Sequence, residues 1–240
     1  QPAALEAAIN DKTSLLIYSS PCNPSGSVYT KEEIDALAAV LVRNPHVYII
    51  SDEIYELINF TGKHASIGTI EALKDRVITV NGVSKGFAMT GWRLGYIGAP
   101  AWIAKACSKV QGQVTSAPCS IAQVAAGAAV SADPSIADEM KQAFLKRRDI
   151  MIAGLSAIPG VKVNKPMGAF YLFPDVSALF GKSAGIAPLT MHKILPCTCW
   201  RRPMWPPLAE GRLAHQNAFD FHTLPLKNNC RRLCVEFQMP

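Results

Sequence analysis

The chain has 240 residues, 49% of them hydrophobic and 18% charged, with a formal net charge of +6. This length and apolar share predict a globular protein with a sizeable core, arranged as one large domain or two smaller ones. The positive charge favours anionic ligands, but no arginine-rich stripe with interleaved aromatic residues predicts a nucleic-acid partner. No apolar run reaches the length of a membrane span, so no membrane partner is predicted. The seven cysteines lack the spacing of a disulfide scaffold, which favours a reducing compartment.

Predicted strands and helices alternate in the first part of the chain. Thr30 and Glu33 have the spacing of a capping box at the start of one helix. The predicted helices cover residues 2–9 and 31–42, and the predicted strands cover residues 15–19, 47–50, 77–80 and 94–98. Continuous apolar strands between helices predict an α/β fold, with a mostly parallel sheet and helices on both of its faces.

A second, smaller domain is predicted after this sheet. The further predicted elements are helices over residues 101–114, 120–131 and 134–158 and strands over residues 161–163 and 168–173. We predict that residues 1–150 form a large domain and that residues 151–187 begin a small α+β domain. Residues 188–240 have no sustained period of 2 or 3.6 residues and contain four cysteines and seven prolines. We expect this tail to be poorly ordered.

Three polar residues follow predicted strands directly. They are Asn23, Asp52 and Lys85, each placed just beyond an apolar run. In open α/β sheets the ligand binds at the carboxyl ends of the strands. The sequence therefore predicts one site that contains all three side chains.

Lys85 has the surroundings expected of a reactive amine. An amine that forms a Schiff base needs an open approach to its cofactor, and Gly82, Gly86 and Gly91 are predicted to leave that space. Arg93 follows eight positions later and is placed to hold an anion such as a phosphate.

Four runs in this order resemble the class I (fold-type I) pyridoxal-phosphate aminotransferases. They are residues 21–26 (PCNPSG), 51–56 (SDEIYE), 83–95 (VSKGFAMTGWRLG) and 166–171 (PMGAFY). The bacterial and plastid type of aspartate or prephenate aminotransferase is the most similar. The resemblance covers roughly residues 2–187 and implies part of the large domain of that fold, followed by an incomplete small domain.

The resemblance implies pyridoxal 5'-phosphate as the cofactor and a role for each of five residues. Lys85 would be the Schiff-base lysine and would move a proton on the substrate. Asp52 would pair with the pyridine nitrogen, while Tyr55 and Asn23 would bind the phenolic oxygen of the cofactor. Arg93 would bind the phosphate. Each residue also has a plain alternative: a surface lysine, a capping aspartate, a core tyrosine, a turn asparagine or a surface ion pair.

Two departures from the family's pattern bear on activity. The chain begins at Gln1 within a predicted helix, so we interpret it as a fragment that lacks the family's glycine-rich phosphate loop. The tail also lacks a run resembling the family's substrate-binding arginine strand. We interpret the tail as the product of a reading frame shifted between about residues 185 and 192. Its cysteines and histidines fit no common zinc spacing, and no metal site is predicted.

The predicted reaction is the transfer of an amino group from an aspartate- or glutamate-type donor to a 2-oxo acid. Two alternatives stay open from the sequence: a catalytically inactive fragment or pseudogene product, and a lyase that uses the same cofactor. The resemblance also implies a homodimer for the full-length protein. The cytoplasm and the plastid both agree with the cysteine usage.

Overall fold

The computed structural model describes residues 1–180 together with the backbone of Val235–Glu236. These residues divide into two compact units. The first unit comprises Gln1–Cys22, Ser27–Gln142 and Met167–Ala169, and the second comprises Asn23–Gly26, Ala143–Pro166 and the described residues from Phe170 on. Apart from Val235–Glu236, the tail predicted over residues 188–240 lies outside the described residues. The domain bounds at residues 150 and 187 stay a prediction.

A four-stranded mixed sheet forms the centre of the first unit. Its strands are β1 (Leu15–Ser19), β2 (Tyr48–Asp52), β3 (Val77–Gly82) and β4 (Gly95–Gly98). The spatial order is β1-β2-β3-β4, with β1, β2 and β3 mutually parallel and β4 antiparallel to β3. All four predicted strands are confirmed, with ends that differ by up to two residues.

Helices lie against both faces of this sheet. On one face, α2 (Lys31–Arg43) packs Ile34 and Leu41 against Ile49 of β2 in a shared apolar cluster. On the other face, Trp102 of α3 (Ala101–Val114) meets Tyr48 of β2 edge to face, with ring centroids 6.0 Å apart. The cover on this second face is partial, because Ile17 of β1 is 65% exposed.

The predicted capping box at the start of α2 is confirmed. Thr30 Oγ1 accepts a hydrogen bond from the amide of Glu33, and the amide of Thr30 donates to Glu33 Oε2. At its other end, α2 is held by Arg76 from the turn before β3. Arg76 Nη2 donates to the carbonyl of Leu41, and Nη1 donates to those of Asn44 and Val47. One guanidinium thus adds a charged donor to three carbonyls in and just after the last turn of α2.

We expect Arg76→Met to lower the free energy of unfolding by about 2–4 kcal/mol, because three carbonyls lose a charged donor while the aliphatic stem is kept. Urea unfolding of both proteins measures the difference. The matched control is Arg43→Met, which removes an exposed pair with Glu6 at the same end of α2 and should cost less than about 1 kcal/mol. Equal losses in the two variants would contradict the role given to Arg76.

The remaining helices agree with the sequence, with one correction. The first helix, α1 (Pro2–Ala8), and α4 (Ser120–Ser131) lie at their predicted positions. The helix predicted over residues 134–158 is wrong at its start, because a 3₁₀ turn occupies Pro134–Ala137 and α5 covers Asp138–Ser156. Asp133 accepts from the amide of Ser135 and caps that turn. Among the described residues, no helix combines the length and hydropathy needed to cross a membrane.

The second unit corrects the strands predicted after α5. Its strand β5 covers only Tyr171–Leu172 and pairs with β6 (Val235–Glu236). The prediction of residues 168–173 as one strand is wrong, because Ala169 has a left-handed φ of 56° that interrupts an extended backbone. The strand predicted over residues 161–163 is likewise reduced to a single bridge from Lys162 to Asp175.

Candidate functional site

Asp52 lies where β1 and β2 end, two residues before the end of β3. It is the last residue of β2 and lies in register with Ser19 of β1 and Val80 of β3. Its Oδ1 accepts a hydrogen bond of 3.1 Å from the amide of Ile54, which turns the chain away from the sheet. The carboxylate is therefore fixed at the carboxyl edge of the sheet, where α/β folds place their ligands.

Tyr55 and Lys85 are brought together at this edge. Tyr55 follows Asp52 by three residues and is only 4% exposed. Lys85 follows β3, and its Nζ lies 5.9 Å from the centroid of the Tyr55 ring. A cation at this distance is attracted by the ring face, so the contact orients the lysine side chain.

The turn that carries Lys85 is tightly built. The amide of Ala88 donates to the carbonyl of Lys85, and Thr90 Oγ1 donates to the carbonyl of Ser84. Ala88 and Arg93 both have a left-handed φ of 53°, a conformation that non-glycine residues adopt only under constraint. Two strained positions within nine residues are typical of a functional turn.

The glycines of this turn have a different role from the predicted one. A Cβ at Gly82 would lie 3.0 Å from the Cα of Gly95, and a Cβ at Gly86 would lie 2.8 Å from a methyl of Leu57. These two glycines therefore allow close packing against β4 and Leu57, and the prediction that they leave open space is wrong. Only at Gly91, among these three glycines, does a Cβ meet nothing within 4 Å.

The other two predicted residues are described within their own units. Arg93 belongs to the first unit, is exposed, and donates through Nη1 to the carbonyl of Thr90. Asn23 belongs to the segment Asn23–Gly26 of the second unit. Four of the five predicted residues thus share the first unit, and the roles of all five stay predictions.

Sequence reasoning missed a buried acidic residue beside Asp52. Glu53 is 3% exposed, and its Oε1 accepts from Ser51 Oγ at 2.8 Å and from Ser66 Oγ at 2.7 Å. His64 Nε2 lies 2.8 Å from Oε2 and donates to it, because a carboxylate only accepts. We call Ser51, Glu53, His64 and Ser66 the Glu53 cluster. The signal that was overlooked is a second acid after Asp52 at the end of a buried strand, where a carboxylate needs partners.

Glu53 and His64 of this cluster, together with Glu56, also have the geometry of a weak metal site. Donor atoms of Glu53, Glu56 and His64 lie within 4.8 Å of one another. Both oxygens of Glu53 already accept hydrogen bonds from protein donors. We therefore interpret the group as a hydrogen-bonded cluster and assign no metal to it.

Tyr18 of β1 lies in register with Ser51 of the Glu53 cluster. Burial raises the pKa of Tyr18 to about 12; the Ser51 hydroxyl opposes this rise and the Glu53 carboxylate adds to it. Its hydroxyl oxygen has no hydrogen-bond partner of good geometry within the described part of the chain. Tyr18 therefore stays neutral beside Glu53 at physiological pH.

We expect Tyr18→Phe to change how stability depends on alkaline pH. The unfolded phenol ionises near pH 10.0 and the folded one near 12. The contribution of Tyr18 to the free energy of unfolding is therefore complete below pH 10 and lost by pH 12. That loss amounts to about 2–3 kcal/mol and should be absent in Tyr18→Phe. Urea unfolding at several pH values between 9 and 12 measures it. Parallel curves for the two proteins would exclude this burial effect.

Comparison with known proteins decides the family. The family model described as aminotransferase class I and II matches residues 2–206. The chain belongs to this family. The match extends past residue 187, where the resemblance was expected to end.

Known aminotransferases resemble this chain in sequence and in fold. A bifunctional aspartate aminotransferase and glutamate/aspartate-prephenate aminotransferase from Petunia hybrida is 45% identical over 184 residues, which cover 75% of this chain and 38% of that protein. An aspartate/prephenate aminotransferase from Cereibacter sphaeroides is 45% identical over 192 residues, which cover 79% of this chain and 48% of that protein. The crystal structure of the aspartate aminotransferase from Rhizobium meliloti matches with a TM-score of 0.73 at 41% identity. The match covers 76% of this chain and 46% of that one.

These matches confirm the resemblance and the fold class predicted from the sequence. Two of the three strand pairs in the sheet of this chain are parallel, in agreement with a mostly parallel sheet. The chain spans less than half the length of the relatives described above.

Proposed function

We propose that this aminotransferase chain belongs to an enzyme that transfers an amino group from an aspartate- or glutamate-type donor to a 2-oxo acid, with pyridoxal 5'-phosphate as cofactor. The observation that carries the proposal is the position of Lys85, whose amine lies over the buried ring of Tyr55 beyond the end of β3. The names of the relatives, which are aspartate and prephenate aminotransferases, support the substrate class.

The side chains at the site fit this cofactor in their chemistry. The amine of Lys85 suits an aldehyde, and the carboxylate of Asp52 suits a protonated pyridine nitrogen. The hydroxyl of Tyr55 and the amide of Asn23 suit a phenolic oxygen. Arg93 uses Nη1 for the carbonyl of Thr90 and is otherwise exposed, so its remaining N–H groups suit a phosphate.

The residues of the site then have separate tasks. Bound pyridoxal phosphate supplies an electron sink that makes the Cα proton of the substrate acidic. Lys85 Nζ accepts that proton and delivers it again, a task that requires the neutral amine. Asp52 would hold the pyridine nitrogen of the cofactor through a charge-assisted hydrogen bond and would favour its protonated form. The ring of Tyr55 lies beside Lys85 Nζ and excludes water from one side of it.

A half-reaction measured in the absence of a 2-oxo acid tests this function. The chain is mixed with pyridoxal phosphate, then with aspartate, glutamate or alanine, and the absorbance of the bound cofactor and the released 2-oxo acid are followed. We expect aspartate and glutamate to change the absorbance and to release oxaloacetate and 2-oxoglutarate, one per chain at most. Serine is tested as a further substrate, because its β-hydroxyl can leave as water; release of ammonia with pyruvate from serine would instead support a lyase. No absorbance change with any donor would contradict the proposal.

The homodimer implied by the resemblance is part of the proposal for the full-length protein. Its substrates are small amino acids and 2-oxo acids. The compartment, cytoplasm or plastid, stays a prediction.

A further inference from the structure

We propose that Glu53 is a positioning residue that holds Asp52 and Tyr55 in place through the Glu53 cluster. The inference rests on the proposed function, because that function gives Asp52 and Tyr55 their tasks. Glu53 itself lies between them in the chain and is not proposed to touch substrate or cofactor.

The Glu53 cluster joins three separate parts of the chain. The hydroxyl of Ser51 comes from β2, while His64 and Ser66 come from a loop 11 and 13 residues further along. The amide of Glu53 also donates to the carbonyl of Val80 in β3 at 2.9 Å. One buried residue therefore connects the end of β2, the neighbouring strand and the loop.

The loop is itself shaped to present His64. Asn59 is 4% exposed, and its Oδ1 accepts from both the amide and the hydroxyl of Thr61. Its Nδ2 donates to the carbonyl of Lys63, the residue before His64. These contacts order the loop just before His64. His64 is therefore a fixed partner for the Glu53 carboxylate.

The turn that carries Asp52 and Tyr55 runs through the backbone of Glu53. The amide of Ile54 donates to Asp52 Oδ1, the amide of Glu56 to the carbonyl of Glu53, and the amide of Ile58 to the carbonyl of Tyr55. These bonds fix the direction of the Asp52 carboxylate and of the Tyr55 ring. A displaced Glu53 side chain would move the backbone that carries both.

Burial makes each hydrogen bond of the cluster costly to lose. A carboxylate that is 3% exposed needs every one of its donors, because an unsatisfied buried charge is costly. In Glu53→Gln, one acceptor oxygen becomes an amide NH₂, which cannot accept from the donors that faced it. The variant keeps the size of the side chain and should release the loop without opening a cavity.

Amide hydrogen exchange of the chain without cofactor gives the first test. In Glu53→Gln, we expect the amides of Ile54, Glu56 and Ile58 to exchange about tenfold faster or more, relative to the amides of α2 in the same protein. The control is Arg76→Met, which should speed exchange in the first unit without raising that ratio. An unchanged ratio in Glu53→Gln overturns the inference, whether or not the chain binds pyridoxal phosphate.

A second variant covers the case in which Glu53→Gln does not fold. Ser51→Ala removes one of the three donors and should raise the same exchange ratio by a smaller factor, about threefold. If this ratio stays at the wild-type value, the inference fails. His64→Gln keeps an N–H donor for Glu53 and should leave the ratio closer to wild type than His64→Ala does.

The bound cofactor gives a separate readout. The pH midpoint of its absorbance should shift in Glu53→Gln and not in Arg76→Met, since only the first variant moves Asp52 and Tyr55. A midpoint that is unchanged in Glu53→Gln contradicts the positioning role. If the wild-type chain binds no cofactor, the proposed function fails, and the exchange ratio still decides whether Glu53 positions the turn.

Discussion

Replacing Lys85 with arginine is expected to slow the half-reaction by about 10³-fold or more. In the wild-type chain, Lys85 Nζ lies 5.9 Å from the centroid of the Tyr55 ring. Arginine keeps the positive charge and can keep this contact. The guanidinium does not give up its proton at neutral pH, so it cannot supply the neutral amine that bonds to an aldehyde or accepts a proton from Cα. The loss should therefore occur in a folded protein.

The control is Lys105→Arg, the same substitution at an exposed position of α3 in the same unit. Its half-reaction rate should equal that of the wild-type chain. Urea unfolding of both variants should give the wild-type free energy of unfolding, within about 0.5 kcal/mol. A Lys85→Arg chain that retains a tenth of the rate would rule out the role proposed for Lys85.

Asp52→Asn is expected to slow the same half-reaction by about 10- to 100-fold, which corresponds to the loss of one charge-assisted hydrogen bond. The substitution is selective because the asparagine oxygen can still accept the amide of Ile54 and preserve the turn. The negative charge at the edge of the sheet is lost. Affinity for pyridoxal phosphate should fall with the rate, since the ring nitrogen loses its anionic partner.

Asp75→Asn provides the comparison for Asp52→Asn. Asp75 is an exposed aspartate between Lys74 and Arg76 in the first unit, and removing its charge should leave the half-reaction unchanged. Equal rates for the wild type, Asp75→Asn and Asp52→Asn would show that the charge at Asp52 has no part in the reaction.

Local sequence signals predicted the elements that local interactions stabilise. The capping box of Thr30 and Glu33 marks the start of α2, since both partners lie within four residues of each other. The apolar runs of β1, β2 and β3 likewise identify the strands, and the polar residues after them identify the edge of the sheet. Lys85 was assigned to this edge on that basis, whereas Tyr55 was assigned through the family resemblance; the structure places Lys85 Nζ 5.9 Å from the centroid of the Tyr55 ring.

Interactions between distant residues could not be predicted in this way. Arg76 reaches carbonyls 29 and 35 positions away, and the donors of Glu53 come from a loop whose path no periodicity indicates. The strand predicted around Ala169 fails for the same reason. A left-handed residue there is set by its surroundings, such as the bond from its amide to the carbonyl of Ile58. Packing in three dimensions decided each of these features.

Reductive trapping tests the central claim most directly. The chain is incubated with pyridoxal phosphate, reduced with borohydride, digested and analysed by mass spectrometry, with Lys85→Arg as the blank. We predict one modified peptide with the added mass on Lys85. The account is contradicted if no peptide is modified, or if the mass is spread over exposed lysines such as Lys63 and Lys105.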